Sequence, residues 1–162
     1  HKRLLQKIID EDLKNIVIIE DDALIDDFDR LDELEDIKEF CYIGGNFGSP
    51  LLKDNNEFTK GGKKDILRES LSKGLNVIDL KEFRLGHACG YYIPNKEVSQ
   101  MILSNIPKGK KERAIDAEYI FLQKKGKINK FIYPAISTLY LKDACNGFTY
   151  STYKLYDDQT LY

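Results

Sequence analysis

A short apolar run that ends in three consecutive carboxylates is the feature that most constrains the fold of this chain. Residues Asn15 to Asp22 read NIVIIEDD. A run so rich in β-branched residues predicts a buried strand of an α/β sheet. Ligand sites in such sheets lie beyond the carboxyl ends of the strands. Because an unpaired, desolvated carboxylate is very unfavourable, we expect a partner for Glu20, Asp21 and Asp22.

Two partners are compatible with this spacing. If the strand stays extended to its end, Glu20 and Asp22 point to one side and Asp21 to the other. An acid-x-acid pair can hold Mg²⁺ or Mn²⁺, which complete their coordination shell with water and phosphate oxygens. Alternatively, Asp22 caps the next helix while Glu20 and Asp21 face solvent. Spacing alone does not decide between these interpretations, and both can hold together.

The composition favours a single domain spanning residues 1–162, with 25 basic and 27 acidic side chains. Charges this balanced do not indicate a nucleic-acid-binding protein. Three widely spaced cysteines (Cys41, Cys89 and Cys145) argue for a reducing compartment and against a disulfide framework or a zinc site. No stretch approaches the roughly 20 apolar residues that cross a bilayer. We therefore expect a cytoplasmic protein without a transmembrane segment, and natural sequence upstream of His1.

The hydrophobic pattern predicts helices and strands in alternation. Helices are expected over Leu4–Leu13 and Leu24–Leu34, after Asn95 as N-cap, and from Asp116 to Gly126; strands are expected over Ile16–Ile19, Glu39–Ile43, Asn76–Leu80, Ala88–Ile93 and Lys130–Tyr133. The glycines of Gly44–Gly48 predict a turn after the second strand. The polar segment Asn46–Gly74 predicts a long loop, and loops of that length in compact domains are usually functional.

Three further side chains are candidates for chemistry. Asp116 precedes an apolar helix, so the default interpretation is an N-cap. A carboxylate there can also act as a general base toward an attacking hydroxyl. Glu118 is expected to be solvated in the first turn of the same helix. His87 is a candidate base or metal ligand, although a lone histidine beside a strand is more often structural.

Taken in order, these elements resemble glycosyltransferase family 25, the lipopolysaccharide-type glycosyltransferases that also include the collagen galactosyltransferases. The matching elements are His1 with its helix, the strand ending in Glu20-Asp21-Asp22, Cys41–Gly44, Gly90–Ile93, and Ile115–Ala117 with Phe131–Pro134. The resemblance implies an α/β fold with a GT-A-like (Rossmann-like) mixed sheet flanked by helices. It also implies that the family's N-terminal segment is missing, and it leaves a tail from about residue 138 to 162 unassigned.

The resemblance also implies an activity. A hexose, galactose or glucose, would move with inversion from a UDP-sugar to a hydroxyl of a saccharide or glycoprotein. Glu20, Asp21 and Asp22 would bind the donor, with Asp22 and Glu20 on Mn²⁺ or Mg²⁺, and Asp116 would be the catalytic acid. Peripheral association with the inner face of a membrane is a compatible location. The alternatives are an inactive, truncated glycosyltransferase-like domain with a binding role and a metal-dependent phosphohydrolase.

Overall fold

The computed structural model describes residues 1–20, 23–25, 28–48, 71–78, 80, 84–106, 114–133, 135–139 and 148–150. These ranges contain the elements α1 (Lys2–Asp10), β1 (Ile16–Ile19), β2 (Ala23–Ile25), a 3₁₀-helix (Phe28–Leu34), β3 (Cys41–Gly48), β4 (Gly74–Val77), β5 (Arg84–Ile93), α2 (Lys96–Asn105), α3 (Ile115–Lys124), β6 (Lys130–Tyr133), β7 (Ser137–Leu139) and β8 (Phe148–Tyr150). None of the helices in these ranges has the length and apolar character needed to cross a membrane.

The main sheet is mixed, with strand order β1-β5-β3-β6-β4 and β8 beside the far end of β3. Strand β5 is antiparallel to both of its neighbours, β1 and β3, so those two run parallel to each other. Strand β6 is parallel to β3, and β4 is antiparallel to β6. Strands β2 and β7 form a separate antiparallel pair. A mixed sheet with packed helices confirms the expected α/β class.

Each face of the main sheet carries its own hydrophobic core. The helix-side core contains buried residues from all three α-helices, among them Leu5, Ile8, Ile102, Tyr119 and Leu122. The second core lies against the 3₁₀-helix and contains Leu34, Ile37, Cys41, Ile43, Tyr92, Ile132 and Ile136. The described α-helices therefore cover one face of the sheet, and shorter elements cover the other.

The helix predicted over Leu24–Leu34 is wrong, because this segment forms β2 and then the 3₁₀-helix. Strand β2 pairs with β7, more than a hundred positions along the chain, and sequence periodicity does not report such a pairing. Phe28, Leu31 and Leu34 recur every three residues, which is the period of a 3₁₀-helix. Leu34 is buried and Leu31 packs against the second core, while Phe28 is exposed.

The turn predicted over Gly44–Gly48 is also wrong, since β3 continues to Gly48. Its pairing with β5 shifts register on both sides of Gly44, which is the irregularity of a β-bulge. Gly45 has φ +153°, a conformation that essentially only glycine adopts. These glycines let the strand bend and continue instead of ending it.

Two end signals of the predicted helices are confirmed. The Asn95 side chain caps α2 by accepting a hydrogen bond from the Val98 amide at 3.0 Å. Gly126 follows α3 with φ +65°, the left-handed conformation that commonly ends a helix. Both signals depend on neighbouring residues alone, which is why the sequence displays them.

Candidate functional site

Glu20 follows the last residue of β1 directly, at the carboxyl end of that strand. Side chains alternate along β1: Val17 packs on the second core and Ile18 lies in the helix-side core. The alternation places Glu20 on the helix side of the sheet. Its side chain is 27 % exposed, so it can meet a ligand. Asp21 and Asp22 lie outside the described residues.

His1 connects Glu20 to the buried core. Its Nδ1 lies 2.6 Å from the hydroxyl of Tyr91, and its Nε2 lies 3.7 Å from Oε1 of Glu20. His1 is the N-cap residue of α1 but makes no side-chain capping bond. Its imidazole is therefore directed to the end of β1, a placement that depends on where α1 packs.

Asp116 lies in the first turn of α3, one residue inside the helix. The N-cap residue is Ala114, so the interpretation of Asp116 as the N-cap is wrong. Burial is the main cause that raises the pKa of three tyrosines, Tyr42, Tyr91 and Tyr119, and the negative charge of the partly exposed Asp116 carboxylate raises each of them further.

Tyr91 is where the two predicted acids meet. Burial is the main cause that raises its pKa, the Tyr119 hydroxyl acts in the opposite direction, and the charges of Glu20 and Asp116 raise it further. Tyr91 is hydrogen-bonded to His1, which lies 3.7 Å from Glu20, and it packs edge to face on Tyr119, one turn after Asp116 in α3. The end of β1 and the start of α3 are therefore neighbours in space although they are far apart in sequence. The structure brings Glu20 and Asp116 to one place.

Four aromatic rings in mutual contact lie beneath this site: Phe40, Tyr42, Tyr91 and Tyr119, all at most 1 % exposed. Tyr91 stacks on Phe40 at a centroid distance of 5.4 Å and meets Tyr119 edge to face at 5.2 Å. We call these four rings the aromatic floor. Their packing fixes the hydroxyl of Tyr91, and through it the ring of His1.

Gln123 connects the aromatic floor to the backbone of strand β5 through hydrogen bonds. Its Nε2 donates to the Tyr42 hydroxyl at 2.7 Å, and its Oε1 accepts from the Leu85 amide at 3.1 Å. Residues 116 and 123 are two helical turns apart and share one face of α3. The amide therefore anchors the helix that carries Asp116.

Glu118 is buried, so the expectation that it is solvated is wrong. It is 2 % exposed, and no hydrogen bond reaches its Oε2 in the part of the chain that the structure describes. The helix-side core, rather than the charge of the residue, decides the orientation of α3. His87 lies in β5, and its side chain is outside the described set.

The donor set suits a hard divalent cation in chemical type. Glu20 is partly exposed at the end of β1, and Asp21 and Asp22 follow it directly in the sequence. Carboxylate oxygens are the ligands that Mg²⁺ and similar ions prefer. Within the described ranges, no three acidic, histidine or cysteine side chains converge on one point.

Comparison with protein families, curated proteins and solved structures found no match. The functional argument therefore depends on the chemistry of this site. The sequence alone gave no functional role to Tyr91, and it indicated His1 only as part of the family resemblance. In the sequence, Tyr91 follows Gly90 within a predicted strand. An aromatic residue at such a position is ordinarily interpreted as a core residue, so only the neighbouring glycine could have drawn attention to it.

Proposed function

We propose that this chain is a GT-A-like glycosyltransferase domain that transfers galactose or glucose from a UDP-sugar to a hydroxyl of a saccharide or glycoprotein. One observation carries the proposal: Glu20 and Asp116 lie on either side of the same buried tyrosine. Glu20 is 3.7 Å from His1, whose ring is hydrogen-bonded to Tyr91, and Tyr91 packs edge to face on Tyr119, one helical turn after Asp116 in α3. Both acids were candidates from sequence for separate roles in one reaction. Their convergence on Tyr91 supports a shared site.

The acids that follow β1 are proposed to bind the donor. In this proposal Glu20, Asp21 and Asp22 bind the UDP-sugar, with Glu20 and Asp22 as ligands of Mn²⁺ or Mg²⁺. When bound, the ion supplies Lewis-acid neutralisation of the diphosphate leaving group. Glu20 is suited to the role because it is partly exposed and placed at a strand end, where ligands of α/β sheets bind.

Asp116 is proposed to activate the acceptor hydroxyl. Its carboxylate is partly exposed and lies in the first turn of α3, where the helix dipole favours a negative charge. It orients the acceptor hydroxyl and takes its proton as the oxygen attacks the anomeric carbon. The bond to UDP breaks as the new glycosidic bond forms, so a single displacement inverts the configuration.

The acceptor side is proposed to include Asn46–Gly74, of which residues 49–70 lie outside the described ranges. The domain is proposed to work in the cytoplasm, with peripheral attachment to the inner face of a membrane compatible with a lipid-linked acceptor. The proposal includes no nucleic-acid partner, because the chain has nearly equal numbers of basic and acidic side chains, 25 and 27.

Turnover of UDP-galactose and UDP-glucose by the full-length protein tests the proposal, with a saccharide acceptor and with or without EDTA. We expect EDTA to abolish transfer and Asp116→Asn to lower kcat by about 10²–10⁴-fold, the usual contribution of a general base. Asp36→Asn, an exposed acid of the segment before β3, is the matched control and should be neutral.

Three results would redirect the proposal. Unchanged turnover in Asp22→Ala would remove the acid cluster from the mechanism. Release of inorganic phosphate from nucleotides without any acceptor would favour a metal-dependent phosphohydrolase instead. A protein that binds saccharide but neither UDP nor Mn²⁺ would be the inactive, truncated domain.

A further inference from the structure

We propose that His1 is a positioning residue of the donor site: a relay from Tyr91 through His1 to Glu20 holds the Glu20 carboxylate in place for the cation on the diphosphate. This inference rests on the proposed function, because it gives Glu20 a ligand to hold. His1 itself touches neither donor nor acceptor in this proposal. Its role is exerted through Glu20.

The relay begins at a rigid anchor. Tyr91 is fully buried, and its ring is held by Phe40 and Tyr119 in the aromatic floor. Its hydroxyl lies 2.6 Å from Nδ1 of His1, a short hydrogen bond, and the two rings are tilted by 32°. The His1 imidazole thus has one nitrogen tied to a group that cannot move freely.

The hydrogen bond to Tyr91 also decides whether the His1 nitrogen that faces Glu20 carries a hydrogen. Burial raises the pKa of Tyr91, so its hydroxyl keeps its proton and can donate it to Nδ1 of a neutral imidazole. That tautomer carries its hydrogen on Nε2. In the imidazolium form, Nδ1 donates to the Tyr91 oxygen and Nε2 again carries a hydrogen. In both states an N–H faces Glu20.

The second contact of the relay is 3.7 Å, from Nε2 to Oε1 of Glu20. This is longer than a hydrogen bond, and a shift of about 0.8 Å would bring the pair to the usual 2.9 Å. The contact uses Oε1, and a carboxylate can bind a cation through its other oxygen. Groups that orient a metal ligand in this way are about as important as the ligands themselves, with losses of about 10–100-fold when they are removed.

Amide replacements of His1 test the relay, because glutamine can place its nitrogen near the position of Nε2 and asparagine near that of Nδ1. We expect His1→Asn and His1→Ala to weaken Mn²⁺ binding and kcat/KM by about 10–100-fold. We expect His1→Gln to retain more of both than His1→Asn, because it keeps an N–H toward Glu20 while it loses the bond to Tyr91. Lys7→Gln, on the exposed side of α1, is the control.

The ¹⁵N shifts of the His1 imidazole give a readout independent of activity. In the unaltered chain they should show the Nε2–H tautomer at neutral pH. Tyr91→Phe keeps the ring packing and should yield a mixture of tautomers. The tautomer reports the bond to Tyr91, and Mn²⁺ binding by the folded variants reports the effect on Glu20. A purely structural role of His1 would lower thermal stability without a selective loss of Mn²⁺ binding and without rescue by glutamine.

The outcomes separate the two proposals. If the unaltered protein turns over UDP-sugar and His1→Asn does so equally well, the relay is overturned and the glycosyltransferase function stands. If the unaltered protein binds neither Mn²⁺ nor a UDP-sugar, the proposed function fails and the positioning role fails with it. Equal losses in His1→Gln and His1→Asn, with both variants folded, would also overturn the relay.

Discussion

Replacing Gln123 with leucine should destabilise this protein strongly, although the two side chains have similar volumes. Gln123 is 1 % exposed and its amide makes three hydrogen bonds: it accepts from the Leu85 amide and donates to the Leu85 carbonyl and the Tyr42 hydroxyl. Leucine can make none of them. The change therefore removes the polar link between α3 and strands β3 and β5 while leaving the apolar packing largely filled.

The magnitude follows from the groups left behind. A buried polar group that loses its partner costs about 1–3 kcal/mol, and the Leu85 amide and Tyr42 hydroxyl are two such groups. We expect the free energy of unfolding to fall by about 2–6 kcal/mol, out of a total of about 5–15 kcal/mol for a typical domain. Asp116 lies in the same helix, so the proposed transfer activity should fall as well.

Urea denaturation followed by circular dichroism measures this loss. Gln6→Leu is the matched control: Gln6 lies on the exposed side of α1 and donates a single hydrogen bond to Asp10. The control should change stability by no more than about 0.5 kcal/mol. A loss below about 1 kcal/mol in Gln123→Leu would refute the claim that this amide is an essential buried link.

Three further variants test other parts of the structure. Gly90→Ala would place a methyl group against Ser137 and 2.9 Å from Ile43, and should cost about 1–3 kcal/mol in thermal or urea unfolding; unchanged stability would show that β5 and β7 are not in close contact there. Asn95→Ala should cost about 1 kcal/mol by removing the cap of α2, whereas Asn95→Asp should retain most of the stability. Hydrogen bonding from Arg30 holds the pKa of Glu33 below its usual value of 4.5, so the stabilisation is present above pH 4.5 and is lost as the pH falls through the lower folded-state pKa. Glu33→Gln should therefore lower the urea midpoint at pH 7 and converge with the unaltered protein in acid; a constant difference at all pH values would contradict this.

Local signals predicted most of the described framework correctly. The apolar run ahead of Glu20 forms β1, and Asn95 and Gly126 mark helix ends as expected. These features depend on β-branched side chains, a capping oxygen and a left-handed glycine, each of which acts over a few residues. Such short-range preferences are legible in one sequence.

Other local features were decided by contacts that a sequence pattern does not contain. The segment after β1 has helical spacing, yet β2 pairs with β7 and a 3₁₀-helix follows. Glu118 has the position of a solvated first-turn acid and is buried. In each case burial against a distant element outweighs a local preference worth a fraction of a kcal/mol per residue.

The candidate site shows the same division. The sequence by itself determined that an acid follows an apolar β-strand and that a second acid lies in the first turn of a helix. The strand was expected to be buried, but β1 lies at the edge of the sheet and only Ile18 in it is buried. Only the tertiary structure decided that the helix turn carrying Asp116 packs through Tyr119 against Tyr91, and that His1 lies between Tyr91 and Glu20. The physical reason is that the aromatic floor takes its rings from β3, β5 and α3 and the residue before β3. These rings meet only when the three elements have packed together.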